Sequence, residues 1–223
     1  MATAKKSAPK RAAAASTGVA TTFAAIPAAR AKQLFNWNRL LVLLHGIQAT
    51  IIWWISPTDA LVRFEGTYPV SKYVDGQFAG LESAKELLIS FPLAYLVAAF
   101  FLLSALAHFL VAYPLRKRYE GWLAQQFNPM RWAEYALSST LMIIGIASLS
   151  FITDAGALVA IAVCNASMNL FGWSMEEANI GRKNVQWSHY IFGCIAGIAP
   201  WIALFTTVGQ REANGRWAKW PRP

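Results

Sequence analysis

The feature that most constrains the fold is a series of five long apolar runs that contain no Asp, Glu, Lys or Arg. They cover residues 40–58, 87–115, 135–153, 155–175 and 184–210, and each is between 19 and 29 residues long. About 20 apolar residues in a helix are needed to cross the hydrocarbon layer of a bilayer. A soluble helical protein is the alternative, but its core does not require five successive uncharged runs of this length. The pattern predicts an all-α integral membrane protein with five transmembrane helices.

These runs and their flanks divide the chain into a transmembrane bundle between two basic tails. The bundle is predicted at residues 33–208, and the tails at residues 1–32 and 209–223. Within the bundle the predicted helices cover residues 33–56, 85–113, 129–153, 155–177 and 185–208. The loop at residues 57–84 has glycine and proline between alternating apolar residues, which is typical of a small hairpin outside the membrane.

The distribution of basic residues explains the net charge of +9 without nucleic acid. If the N-terminus is cytoplasmic, the inner segments carry 13 Lys and Arg residues and the outer segments carry 7. Such an excess on the cytoplasmic side is the usual bias of membrane proteins, and a basic tail can rest on anionic lipid. We therefore expect a multi-pass protein of the plasma membrane, with the lipid bilayer as its partner and no nucleic acid.

Three titratable side chains are predicted at similar depth in the membrane. At a rise of 1.5 Å per residue, His45 lies about 9 Å from Arg39 and His108 about 12 Å from Arg116. Glu134 enters the third predicted helix from the same side. Buried titratable groups that share a depth are typical of proton movement or of a chromophore site. The alternative is that each histidine is merely hydrogen-bonded to a neighbour.

Glu134 itself has two interpretations. It begins a helix face that continues through Ser138 and Met142, where its carboxylate could accept a hydroxyl hydrogen bond or balance a buried cation. Alternatively, it lies at the membrane interface and pairs with Arg131, one turn earlier. For Asn165, on the fourth predicted helix, the default expectation is a hydrogen bond between helices.

Enzyme and metal chemistry find little support in the sequence. It has no HExxH or GxSxG motif and no phosphate-binding glycine loop. Its two cysteines, Cys164 and Cys194, lie in apolar runs and form no CxxC pair. No two acids share the predicted membrane interior, as a carboxylate metal site would require. We expect neither an enzyme nor a metal site.

Short motifs in all five predicted helices resemble those of heliorhodopsins. The third helix has RWAEYALSS at residues 131–139, and the fourth has NASM at 165–168 and FGW at 171–173. The fifth has FGCIAG at 192–197, followed by Pro200-Trp201. In the first and second helices the matching features are Asn38-Arg39 with His45, and SAL at 104–106 with His108. The resemblance runs in order over about residues 33–208.

The resemblance implies a seven-helix retinal protein with a cytoplasmic N-terminus, which senses light rather than pumping ions. It implies a homodimer with an unknown signalling partner, and all-trans retinal bound to a lysine as a protonated Schiff base. By resemblance, Glu134 matches the Schiff-base counterion, and His45 and His108 match the polar cavity on the cytoplasmic side. The positions that match the retinal pocket are Ser138, Met142, Asn165 and Trp201.

The sequence departs from the family's pattern in its helix count. Helices F and G have no counterpart, and none of the nine lysines lies in a predicted span. We therefore expect five helices, A to E, of a seven-helix bundle, without the lysine to which retinal attaches. A truncated or frame-shifted gene would explain this. The alternatives are a retinal-free membrane scaffold or interaction protein, and a small proton-relay or transport protein that uses His45, His108 and Glu134.

Overall fold

The computed structural model describes residues 23–213, with side chains through residue 210. In this part of the chain six helices and one two-stranded hairpin follow each other. They are α1 (Ala28–Ile55), β1 (Leu61–Val74), β2 (Gln77–Pro92), α2 (Leu93–Ala112), α3 (Arg116–Ala124), α4 (Pro129–Leu149), α5 (Ala155–Ala178) and α6 (Ser188–Ala213). Helices α1, α2, α4, α5 and α6 are long and apolar enough to cross a membrane. This confirms the five predicted spans.

Several helix boundaries differ from those expected. Helix α1 begins at Ala28 rather than at residue 33, directly after Pro27, and α6 runs from Ser188 to Ala213 rather than over 185–208. Helix α4 ends at Leu149 rather than at 153, because the chain turns at Phe151, which has a positive φ of 64°. The remaining parts of the two predicted tails, residues 1–22 and 214–223, lie outside the described residues.

The largest difference is the hairpin after α1. Strands β1 and β2 pair antiparallel from Leu61↔Pro92 to Val74↔Gln77, around a turn in which Asp75 and Gly76 both have positive φ. Residues 85–92, expected to begin the second helix, therefore belong to β2. A proline disfavours helical backbone in the residue before it, so the helix starts only after Pro92. The outer loop is thus a hairpin of 14 and 16 residues rather than a small one.

The base of this hairpin is fixed to the connection between α4 and α5. The Glu65 backbone N–H donates to the Thr153 carbonyl oxygen at 2.7 Å, and the Thr153 hydroxyl donates to the Glu65 carboxylate at 2.6 Å. Next to it, the Asp154 carboxylate caps α5 by accepting from the Ala157 N–H at 2.9 Å. We call this side of the bundle the hairpin end, and the opposite side, which carries α3, the α3 end.

The spans pack in a row in which α2 touches both α1 and α4, and α5 touches both α4 and α6. At the hairpin end buried apolar side chains form one cluster; it consists of Ile143, Ala147, Leu158, Ile161 and Leu204. Nearer the α3 end, α5 and α6 approach closely at Gly193 and Gly197, where the Met168 side chain and backbone fill the space that a larger residue would need. The hairpin end of the bundle therefore holds the apolar cluster, whereas His108 and Glu134 lie towards α3.

Candidate functional site

The two intramembrane histidines lie in one cluster between α1 and α2. Their rings stack with centroids 5.6 Å apart and an angle of 12° between planes. His108 Nδ1 lies 2.8 Å from the Asn38 amide oxygen, and His45 Nδ1 lies 2.9 Å from that of Gln48. The Asn38 amide nitrogen donates to the Leu34 carbonyl oxygen at 2.9 Å, so its oxygen accepts from His108 Nδ1–H. In its neutral form the His108 ring therefore keeps Nε2 as a proton acceptor. The similar depth expected for the two histidines is observed.

The nearby carboxylate of Glu134 has a hydrogen-bond donor but no cation among the residues that the structure describes. The Ser104 hydroxyl, buried on α2, donates to Glu134 Oε1 at 2.7 Å. The guanidinium of Arg131 instead forms an ion pair with Glu176 at the end of α5. Pairing of Glu134 with Arg131, one of the two expected arrangements, is therefore wrong. Within residues 23–210 no Lys or Arg forms an ion pair with Glu134.

A cavity of about 200 Å³ connects this carboxylate with one of the histidines. Its polar lining includes Asn38, His108, Tyr119, Arg131 and Glu134. With about 30 Å³ for each water molecule in the liquid, this volume has room for several waters. His45 does not line it and reaches it only through its contact with His108. Two titratable groups at a wettable cavity are a suitable arrangement for holding and exchanging a proton.

Sequence reasoning missed Tyr119, which lines the cavity, and the contacts of Glu176 with Arg131 and Asn128 next to it. Tyr119 comes from α3, which was not predicted, and its burial raises the pKa of the phenol against an opposing hydrogen bond from Asn38. Glu176 accepts from the Asn128 backbone N–H at 2.9 Å as well as from Arg131. It thereby fixes the start of α4 to the end of α5. No local sequence signal relates Glu176 to residues more than 40 positions earlier.

The four residues matched to a retinal pocket differ in their burial. Ser138 is 2% exposed, whereas Met142 and Trp201 are 48% and 47% exposed. The Asn165 side chain is turned to α4, where it donates to the hydroxyls of Ser139 at 2.8 Å and Thr140 at 3.0 Å. Asn165 therefore makes the bridge between helices that was its default expectation.

Comparison with known families assigns the chain. The heliorhodopsin family model matches residues 34–220. The chain belongs to the heliorhodopsin family. A search of curated proteins finds no match. Together with the five candidate spans, membership makes this a multi-pass membrane protein of the rhodopsin type, in a family that is not a typical enzyme family.

In this heliorhodopsin the residues present fit one side of a retinal site. Glu134 supplies a carboxylate that no basic side chain of residues 23–210 neutralises, as a cationic cofactor would require. Covalent attachment of retinal also requires the amine of a lysine within a span. Lysines of the described region lie at the start of α1, in the hairpin, in α3 and between α5 and α6; they are Lys32, Lys72, Lys85, Lys117 and Lys183. None of these is in the interior of a span.

Proposed function

We propose that this protein is a light-sensing heliorhodopsin of the plasma membrane, with a cytoplasmic N-terminus, which is neither an ion pump nor an enzyme. In this proposal its five spans form the counterion side of a retinal site. The observation that supports it is the Glu134 carboxylate, which accepts one hydroxyl hydrogen bond and has no cationic partner in the described chain. A carboxylate within a membrane span is costly, so a matching cation is the expected reason for its presence. Retinal, when bound, supplies light absorption and a change of shape.

The chain's own residues have distinct tasks in this proposal. Glu134 holds a negative charge beside the cofactor, and Ser104 orients that carboxylate. His108, with its Nδ1–H donated to Asn38, offers Nε2 to a proton that leaves the site. The cavity leads from these groups towards Tyr119 at the α3 end.

The family assignment argues against pumping, since the resemblance implies a protein that senses light rather than pumping ions. A transmembrane proton relay through His45, His108 and Glu134 is the alternative. Light-driven proton flux in liposomes is expected to be absent.

Retinal attachment is tested by supplying the amine separately. We propose that it comes from a lysine outside the five described spans. All-trans retinal is added to membranes with this chain alone, and to membranes in which a heliorhodopsin segment with helices F and G is co-expressed. We expect a visible band, bleached by hydroxylamine, only with the segment. A visible band from the chain alone would place the amine within it. No retinal binding in either sample would favour the scaffold alternative.

The counterion role is tested in the same pigment. Glu134→Gln should move the visible band to longer wavelength, because the carboxylate stabilises a cation next to it more in the ground state than after excitation. Glu177→Gln is the matched control, since it removes an exposed carboxylate at the end of α5. Equal bands in wild type and Glu134→Gln would contradict the assignment of Glu134.

A homodimer is also part of the proposal. Apolar side chains near the hairpin turn are largely exposed, with Tyr73 at 64%, Phe78 at 62% and Leu81 at 67%. Exposed apolar patches of this kind are typical of protein interfaces. Light scattering in mild detergent should give the mass of two chains, and Phe78→Ser with Leu81→Ser should lower it. A single-chain mass for the wild type would contradict this part.

A further inference from the structure

A groove on the outer side of α1, at the α3 end, is not used by the cavity or by the proposed retinal site. It has a volume of about 340 Å³, and an adjoining depression of about 270 Å³ extends it past Gln33 and Trp37. The groove is lined by Asn36, Arg39, Leu40, Val42, Leu43 and Tyr113. Its polar residues precede its apolar ones along α1, so the lining changes from polar to apolar towards the middle of the span.

The positive charge of Arg39 in this groove is not balanced by an acidic side chain of residues 23–210. The Arg39 guanidinium carbon lies 5.4 Å from the centre of the Phe35 ring, and that of Arg116 lies 4.4 Å from the same ring. Arg116 is paired with Glu120 at 3.0 Å. Arg39 is exposed and has no ion-pair partner among residues 23–210. The groove therefore presents a cation that is free to bind an anion.

The apolar part of the groove is just as exposed. Leu40 is 51% and Leu43 64% accessible, and Trp37, beside them, is 55% accessible. Tryptophan at the end of a span prefers the level of the lipid headgroups. A small soluble anion would contact the guanidinium and leave these leucines uncovered. A molecule with a negative headgroup and an acyl chain would cover both parts.

We propose that this groove is a binding site for an anionic phospholipid of the surrounding bilayer. Its phosphate is bound by Arg39, with the Asn36 amide and the Tyr113 hydroxyl as neighbouring donors, and one acyl chain lies along Leu40 and Leu43. Charge-assisted hydrogen bonds to a guanidinium are stronger than neutral ones, so the site should discriminate against zwitterionic lipid. The proposal depends neither on retinal nor on Glu134.

The site is tested by native mass spectrometry of the full chain in mild detergent. Phosphatidylglycerol and phosphatidylcholine with the same acyl chains are added in turn. We expect retention of phosphatidylglycerol, and a loss of about fivefold or more in its apparent affinity in Arg39→Gln, as removal of one basic contact near a bilayer surface implies. Lys117→Gln is the matched control, because it removes one exposed positive charge at the same end of the bundle, outside the groove. The affinity of the Lys117→Gln variant for phosphatidylglycerol should remain close to that of wild type, because Lys117 does not line the groove.

Three outcomes would overturn the proposal. Equal losses of affinity for phosphatidylglycerol in Arg39→Gln and Lys117→Gln would show a general attraction of the lipid to the basic face. Equal retention of phosphatidylglycerol and phosphatidylcholine would exclude recognition of the lipid's charge. Full competition by glycerol phosphate, which has no acyl chain, would show a site for a free phosphate rather than for a lipid. Arg39→Lys keeps the charge and should retain part of the binding, and matching circular dichroism spectra exclude unfolding as the cause of any loss.

Discussion

Two groups of polar side chains lie within the bundle, and they differ in what they leave open. The first, the α4–α5 seam, joins Asn165 and Asn169 to hydroxyls of α4 and contains no titratable group. The second, the polar cluster, consists of His45, His108, Asn38, Ser104 and Glu134. It includes three titratable groups, and a cavity borders it. Polar residues in a span are costly in both places, but only the second arrangement leaves groups available for a ligand or a proton. The first holds helices together.

The largest expected effect tests whether the seam is a tight contact between helices. A Cβ atom at Gly172 on α5 would overlap the Trp132 ring of α4. Overpacking of this kind costs about 1–3 kcal/mol, so Gly172→Ala should lower the unfolding free energy measured by denaturant titration in mixed micelles. Gly46→Ala is the matched control, since nothing lies within 4 Å of its Cβ position. If both variants are as stable as the wild type, α4 and α5 are not packed as described.

A smaller effect separates the two histidines of the polar cluster. Phenylalanine keeps the stacked ring in either position, but His108→Phe leaves the buried amide oxygen of Asn38 without its donor. A buried acceptor without a partner costs about 1–2 kcal/mol. His45→Phe loses only a contact to Gln48 on its own helix, and should cost about 0.5 kcal/mol or less. Equal losses of stability would contradict the link from α2 to α1 through Asn38.

Asn165 provides the direct test of the comparison, because resemblance placed it at the retinal pocket and the structure places it in the seam. Asn165→Ala removes two hydrogen bonds between helices, which in membranes average about 0.6 kcal/mol each. We expect a loss of about 1 kcal/mol in unfolding free energy and an unchanged visible band in the reconstituted pigment. A shifted band with unchanged stability would move Asn165 from the seam to the pocket.

The sequence predicts those elements of the fold that depend on residues close together in the chain. The five spans follow from uninterrupted apolar runs, and the start of α4 follows from the Asn128-Pro129 pair, whose side-chain cap is observed. The prediction of a helix at the start of the run at 87–115 is wrong, because apolar composition is the same in a strand and in a membrane helix. Residues 85–92 form a strand because they pair with β1. Amino-acid composition does not reveal such pairing.

The candidate site shows the same limit. Depth along single helices brought His45, His108 and Glu134 together, since rise per residue is fixed by helix geometry. The partner of Glu134 could not be derived in this way. Whether it faces Arg131 or Ser104 depends on how α2 and α4 are rotated against each other, and the pairing of Arg131 with Glu176 requires the end of α5. Local spacing favoured the nearer cation, and tertiary packing provided a different one.

The smallest expected effect concerns contacts outside the membrane. They are made by carboxyl groups, which titrate, whereas the α4–α5 seam contains no titratable group. The Thr153 hydroxyl is the main cause that lowers the pKa of Glu65, and the Ala157 N–H is the main cause that lowers that of Asp154. A carboxyl group whose pKa is lowered in the folded state stabilises the fold when the pH is above the ordinary pKa of that group. This stabilisation is lost as the pH falls through the lowered pKa. Below about pH 4, the protection of the Glu65 and Ala157 amides, measured against their intrinsic exchange rates at the same pH, should therefore fall, while protection in the seam stays unchanged. Thr153→Val should raise the pH at which the loss of protection at Glu65 begins, whereas Glu82→Gln, which removes a carboxylate paired with Lys72 far along the hairpin, should not. An identical onset in wild type and Thr153→Val would show that this hydroxyl does not hold the hairpin base.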